Sequence, residues 1–175
     1  YEKTISSETV FEGRVFNVEI KEIITPAGGK STREIVVHHG GACILPVDDD
    51  GNCYLVKQFR SPFEKVMLEA PAGKIEKGEE PFDCVSREIT EETGFVADKI
   101  ECVGSIVATP GYCSEIITLY IGTGLKYEGG NPDENEYIAT VKMPLKEAVK
   151  MADEGAITDA KTQVLLYKAA RRLGI

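Results

Sequence analysis

The chain has 175 residues, 42% of them apolar and 28% charged, with a formal net charge of −9. This is the length of one domain, with enough apolar residues to build a core without metal or disulfide staples. The acidic balance argues against a protein that holds nucleic acid by neutralising phosphates, and an anionic small molecule would need local Arg/Lys groups or cations to be held. The opening YEKTISSETVFEG lacks the apolar stretch of a secretory signal. Strands are predicted next. VFNVEIKEIIT (15–25) and REIVVHH (33–39) flank the Pro/Gly turn PAGGK and read as a hairpin. ACILPV (42–47) and CYLVKQF (53–59) flank DDDGN and read as a second hairpin. VMLEA (66–70) is a further short strand. A helix is predicted from Pro81 to Thr93, with Pro81 at its first position and Gly94 at its C-terminal cap. Strands return at KIECVGSIVA (99–108), EIITLYIGTG (115–124) and EYIATVKM (136–143). Two helices close the chain, over 144–155 and about 159–172. The order, a mixed sheet with helices packed on it, reads as α+β or a layered α/β/α sandwich.

No apolar run approaches the roughly 18–20 residues of a membrane helix. The first residue is Tyr1, not Met, which leaves room for a leader ahead of it, whereas the length leaves none for a second domain. Cys43, Cys53, Cys84, Cys102 and Cys113 form an odd set without C-x-x-C spacing. They are expected to be reduced, mostly buried thiols of a cytoplasmic protein.

The chemistry lies in GKIEKGEEPFDCVSREITEETGF, residues 73–95. On the predicted helix Glu88, Glu91 and Glu92 fall three and four residues apart, so their carboxylates project from one face. Cys84, Val85 and Ile89 make the opposite face apolar, able to anchor the helix. Like charges at that spacing repel by a few tenths of a kcal/mol per pair, so an acidic face of this kind is either solvated surface or a cation site. A rigid helix that gathers carboxylates suits hard cations such as Mg²⁺ and Mn²⁺, which prefer oxygen ligands. Arg87 is placed to pair with one of the carboxylates and fix its rotamer.

Gly73, Glu79, Arg87, Glu88, Glu91, Glu92 and Gly94 fill all seven fixed positions of G-x5-E-x7-R-E-U-x-E-E-x-G-U, with Ile89 and Phe95 at the bulky apolar positions U. The segment therefore resembles the Nudix box, with an aromatic at the last position where the family usually has an aliphatic residue. The resemblance implies a Nudix fold, a mixed β-sheet sandwiched between helices with an N-terminal antiparallel hairpin region. It also implies hydrolysis of nucleoside diphosphates linked to another moiety, with two or three Mg²⁺ or Mn²⁺ ions. By carry-over Glu88 and Glu92 are catalytic metal ligands, Glu91 is a further ligand, and Glu79, Arg87 and Gly73 orient the cluster.

Three features resemble the ADP-ribose pyrophosphatase subfamily. Pro110 stands sixteen residues beyond Gly94, where an ordinary Pro-Gly turn would also place one. KQFRSPFEKVMLEAPAGKIEKGE (57–79) matches the subfamily's Gln-aromatic-Arg element and its entry into the box. That match makes Arg60 a phosphate contact, puts Glu69 at the site edge and makes the Ala72 carbonyl a metal ligand. PDENEYI (132–138) matches an acidic loop in which Glu134 is the general base and Glu136 a metal ligand, roles the two could exchange. Arg33 falls near the position of an adenine-stacking group, and Pro110 joins the substrate contacts. One of the adjacent His38 and His39 is a further candidate contact. The subfamily implies a homodimer, with residues 1–40 as dimerisation and adenine-side strands and 41–175 as the hydrolase domain. The expected substrate is ADP-ribose, with AMP and ribose 5-phosphate as products. The alternatives are GDP-mannose, ADP-glucose or a dinucleotide such as NADH or FAD, and, in another class, a non-catalytic ADP-ribose-binding module. No nucleic-acid or membrane partner is expected.

Overall fold

A computed structural model describes residues 1–129 and 138–175. It divides into two compact units, Tyr1–Gly40 with Val107–Ile116, and Gly41–Ile106 with Ile117–Ile175. The first unit is an antiparallel sheet of β1 (Lys3–Glu12), β2 (Phe16–Ile24) and β3 (Lys30–His38), in that order. The hairpin predicted over PAGGK joins β2 and β3. The Gly28 N–H donates to the Thr25 carbonyl at 2.9 Å, and Gly28 adopts φ 84°, a conformation that glycine tolerates without a Cβ clash. Strand β1 has no clear signal in the sequence. Every one of its residues is exposed, so it is specified by pairing with β2, from Lys3↔Ile24 to Glu12↔Asn17, and not by a buried face. The segment Val107–Ile116 lies against β3, where the Val36 N–H donates to the Tyr112 carbonyl and the Ser114 N–H to the Val36 carbonyl.

The second unit contains β4 (Gly41–Pro46), β5 (Asn52–Arg60), β6 (Lys65–Glu69), β7 (Ala72–Lys74), β8 (Phe95–Ile106), β9 (Ile117–Tyr127) and β10 (Ala139–Pro144). Its helices are α1 (Pro81–Thr93), α2 (Leu145–Asp153) and α3 (Ala160–Leu173). A mixed sheet runs in the order β7-β4-β9-β8, with β4 and β9 parallel, and a second sheet runs β10-β5-β6. All six residues of β4 are buried, and its two faces serve different helices. Ala42 and Ile44, with Tyr120, pack on Cys84, Val85 and Ile89 of α1. Cys43 and Leu45, with Leu119 and Ile121, join Leu145, Leu165, Leu166 and Ala169 of α2 and α3. The result is the expected α+β arrangement of a mixed sheet between helices.

Helix α1 has its predicted limits. Pro81 opens it, and Gly94, at φ 75°, closes it by donating to the Thr90 carbonyl at 2.9 Å. Strand β8 begins at Phe95, earlier than predicted, and β10 begins at Ala139. One expectation is corrected: β4 and β5 do not form a hairpin. They lie in different sheets and share only the bridge Val47↔Cys53, because β7 and β9 already occupy both edges of β4. All five cysteines are free, with Cys43, Cys53 and Cys84 buried and Cys102 exposed. No helix among the described residues is long and apolar enough to cross a membrane.

The DDDGN turn is nevertheless strongly held. Asp48 accepts from the Asn52 N–H at 2.8 Å, from the Tyr54 hydroxyl at 3.2 Å and from Lys142 Nζ at 2.8 Å, which ties β10 to the turn. Burial alone would raise the Asp48 carboxyl, but the Lys142 and Asn52 hydrogen bonds outweigh it and hold it at about 2, below its ordinary 3.8. A depressed carboxyl contributes its stability in full above the unfolded value and loses it as the pH falls toward the folded value. Asp48→Asn is therefore expected to cost about 1 kcal/mol at neutral pH, solvent screening the half-exposed Lys142. In urea unfolding, the gap to the wild type should close as the pH is lowered from 3.8 toward 2.

Candidate active site

Helix α1 is amphipathic in the way the site needs. Its apolar face fixes it to β4, and Arg87, Glu88 and Glu91 stand on the other side. Arg87 pairs with three carboxylates. Its Nε donates to Glu79 at 3.1 Å, and its Nη1 donates to Glu88 at 2.7 Å and to Glu91 at 2.9 Å. Burial would lower the Arg87 guanidinium, but the bonds to Glu79 and Glu88 raise it well above its ordinary value, so it stays charged. Glu79 is placed by a tight turn in which its carboxylate accepts the Glu76 N–H at 2.8 Å and its own N–H donates to the Glu76 carbonyl. Burial would raise the Glu79 carboxyl, yet the Glu76 amide and Arg87 hold it below its ordinary value.

Gly73 lies in β7 opposite Ala42, and a Cβ on it would overlap the Glu88 carboxylate. The missing side chain is thus the space that Glu88 occupies. Glu92 is buried and turns toward the same strand, accepting the Ala72 N–H at 3.1 Å. Thr140 of β10 donates to the Glu92 carbonyl. Among the described residues, no three His, Cys, Asp or Glu side chains converge into a cation cage. Glu88 and Glu91 share Arg87, while Glu92 meets the Ala72 amide.

A second cluster forms around Glu69 at the end of β6. Its side chain is only 3% exposed and takes a bidentate pair from Arg60, Nε at 2.8 Å and Nη2 at 2.7 Å. Lys161 Nζ reaches the same carboxylate at 2.5 Å and Asp159 at 2.9 Å. Burial would raise the Glu69 carboxyl, but Arg60 and Lys161 outweigh it and hold it at about 2. Asp159 caps α3, accepting the Thr162 N–H at 3.0 Å and its hydroxyl at 2.6 Å. Thr162 Oγ1 in turn accepts the Ala70 N–H at 2.7 Å. Sequence reasoning missed Asp159, Lys161 and Thr162. The Asp at an N-cap position was a legible signal for the helix start, but nothing local pairs Lys161 with Glu69, 92 residues away.

The other predicted residues lie in the first unit or outside the described residues. Arg33, in the first unit, is held by Glu2, by Ser31 Oγ at 3.2 Å and by the Thr32 carbonyl at 2.8 Å. Pro110 forms a turn of that unit in which the Cys113 N–H donates to the Thr109 carbonyl. The His38 backbone N–H donates to Ser114 Oγ, and His38 Nδ1 accepts the Gly40 N–H. Glu134 and Glu136 lie outside the described residues.

The model of the NUDIX domain family matches residues 37–169. An ADP-ribose pyrophosphatase of Bacillus subtilis (strain 168) is 39% identical over 163 residues, covering 92% of this chain and 88% of its own. A methanol dehydrogenase activator of Bacillus methanolicus is 38% identical over 165 residues, covering 93% and 89%. A solved structure described as an ADP compounds hydrolase superposes with a TM-score of 0.86 over 99% of this chain and 94% of that one, at 22% identity, and shares the fold. The chain belongs to the NUDIX domain family.

Arg87 balances carboxylates that would otherwise repel one another. Arg87→Met is expected to lower stability by about 1 kcal/mol at low ionic strength, with added salt returning part of the loss. Thermal melts of the variant at low and high salt check this.

Proposed function

We propose that this member of the NUDIX family hydrolyses the pyrophosphate of ADP-ribose to AMP and ribose 5-phosphate, with Mg²⁺ or Mn²⁺. The observation that carries the reading is the likeness, over 92% of the chain, to the Bacillus subtilis ADP-ribose pyrophosphatase. Carboxylates and a backbone carbonyl are the donors that hard cations take, and the bare Cα of Gly73 leaves the Glu88 carboxylate its space. Glu88, Glu91, Glu92, Glu136 and the Ala72 carbonyl would hold two or three ions. When bound, such ions polarise the phosphates and neutralise the charge on the departing one.

The chain's own groups do the rest. Glu134 takes the proton from the attacking water as its oxygen bonds to phosphorus and the bridging P–O bond breaks. Arg60 meets the substrate phosphates, because its Nε–Nη2 edge is engaged by Glu69 and the side chain is still 37% exposed. Glu69 and Pro110 border the substrate and Arg33 stacks on the adenine. Arg87, Glu79 and Gly73 orient the carboxylates. Residues 1–40 are dimerisation and adenine-side strands, residues 41–175 are the hydrolase domain, and the enzyme works as a cytoplasmic homodimer.

The test is product formation, followed by ion-exchange chromatography, on ADP-ribose, ADP-glucose, GDP-mannose, NADH, FAD and dATP. ADP-ribose is expected to lead in kcat/KM by at least tenfold, which corresponds to about 1.4 kcal/mol. A different leading substrate would replace ADP-ribose and leave the hydrolase reading in place. Absence of turnover with either metal would favour a binding module. Glu92→Gln, which keeps an acceptor for the Ala72 amide, is expected to cut kcat by several orders of magnitude with an almost unchanged melting temperature. Near-normal turnover of that variant would remove Glu92 from the metal site.

A further inference from the structure

The Arg60 guanidinium is bound along one edge only. Nε and Nη2 both meet Glu69, and among the described residues no bond engages Nη1. A single buried carboxylate facing a single guanidinium would neutralise it, leaving little charge for an anion beyond. Here Glu69 is shared. Its Oε2 lies 2.7 Å from Arg60 Nη2 and 2.5 Å from Lys161 Nζ, and the Lys161 side chain is only 12% exposed. Lys161 is itself fixed by Asp159, the cap of α3, and the same Asp159 holds Thr162, whose hydroxyl receives the Ala70 N–H. The first turn of α3 therefore grips residues 69 and 70 twice, through a charge at Lys161 and through a neutral hydrogen bond at Thr162. Across the four ionised groups, two cations face two carboxylates. Glu92 also acts on Arg60 through space, so removing Lys161 would add to the negative charge beside Arg60 and repel a phosphate.

We propose that Lys161 is a positioning residue for anion recognition. By sharing Glu69 it holds the carboxylate against Arg60 in one geometry, turns the Nη1 edge of Arg60 toward the pyrophosphate and offsets part of the negative charge behind it. The proposal rests on the reading above that Arg60 meets the substrate phosphates. It adds a residue that never touches the substrate, delivered by a helix 92 residues further along the chain.

The experiment is titration calorimetry of the α,β-methylene analogue of ADP-ribose, which the enzyme cannot cleave at the bridge, in the presence of Mg²⁺. The proteins are the wild type, Lys161→Met, Arg60→Gln and the double variant, each with a thermal melt. Lys161→Met is expected to weaken binding about tenfold, and to weaken it no further once Arg60 is Gln, because coupled residues are non-additive. If Lys161→Met does not fold, Glu69→Gln with Lys161→Met removes the two opposite charges together and is compared in the same two backgrounds. An equal loss with and without Arg60 would overturn the proposal, since Lys161 would then act on the ligand by itself. A lowered melting temperature with unchanged affinity would also overturn it and make Lys161 purely structural. Failure of the wild type to bind, or wild-type binding by Arg60→Gln, would instead remove the phosphate-contact reading, and the proposal with it.

Discussion

A carboxylate taken out of water costs several kcal/mol unless charged partners or N–H donors meet it, and that constraint organises the second unit. Glu69 is the sharpest case. It ends β6, it is almost wholly buried, and it keeps its charge because Arg60 comes from the end of β5 and Lys161 from the start of α3. Three elements distant in sequence are thereby locked at one point. Removing either cation would leave the buried Glu69 with one charged partner in place of two, so the pairing fixes where α3 begins as well as where Arg60 lies.

The backbone that follows Glu69 is fixed with similar economy. The Ala70 N–H goes to Thr162, the Pro71 carbonyl accepts the Ile44 N–H at 2.9 Å, and the Ala72 N–H goes to Glu92. Helix α3, strand β4 and helix α1 each take one group from three consecutive residues. The Ala72 carbonyl, the backbone oxygen assigned to a cation in the proposed reaction, belongs to this pinned stretch. Gly73 comes next, and its lack of a side chain admits Glu88. Protein partners on these three backbone groups fix the stretch from which the Ala72 carbonyl projects.

What was legible in the sequence was local. Pro81 and Gly94 punctuate α1, the spacing of Cys84, Val85 and Ile89 marks its buried face, and the box is a fixed-interval pattern that needs no tertiary knowledge. The mixed sheet could be anticipated from the strand order, but its pairings could not. A turn between two apolar runs says that the chain reverses and not which sheet each run joins, so DDDGN looked like a hairpin although β4 spends both edges on β7 and β9. Strand β1 escaped because an exposed strand carries no alternation. Lys161 escaped for a different reason. A lysine near a helix start is ordinarily a solvated charge, and only its long-range contact with Glu69 makes it otherwise.

The two clusters also differ in charge, and the difference suits the two kinds of group that the proposed reaction brings together. Around Arg87, three carboxylates face one guanidinium, which leaves that side of α1 negative. Around Glu69, two cations face two carboxylates, and the outer edge of Arg60 points away from its partner. A cation is favoured at the first cluster, where Arg87 competes for Glu88 and Glu91. An anion is tolerated at the second. A chain with a net charge of −9 can therefore take a pyrophosphate without a basic surface, because the balance that matters is set locally by which carboxylates have been given a cation and which have been left one short.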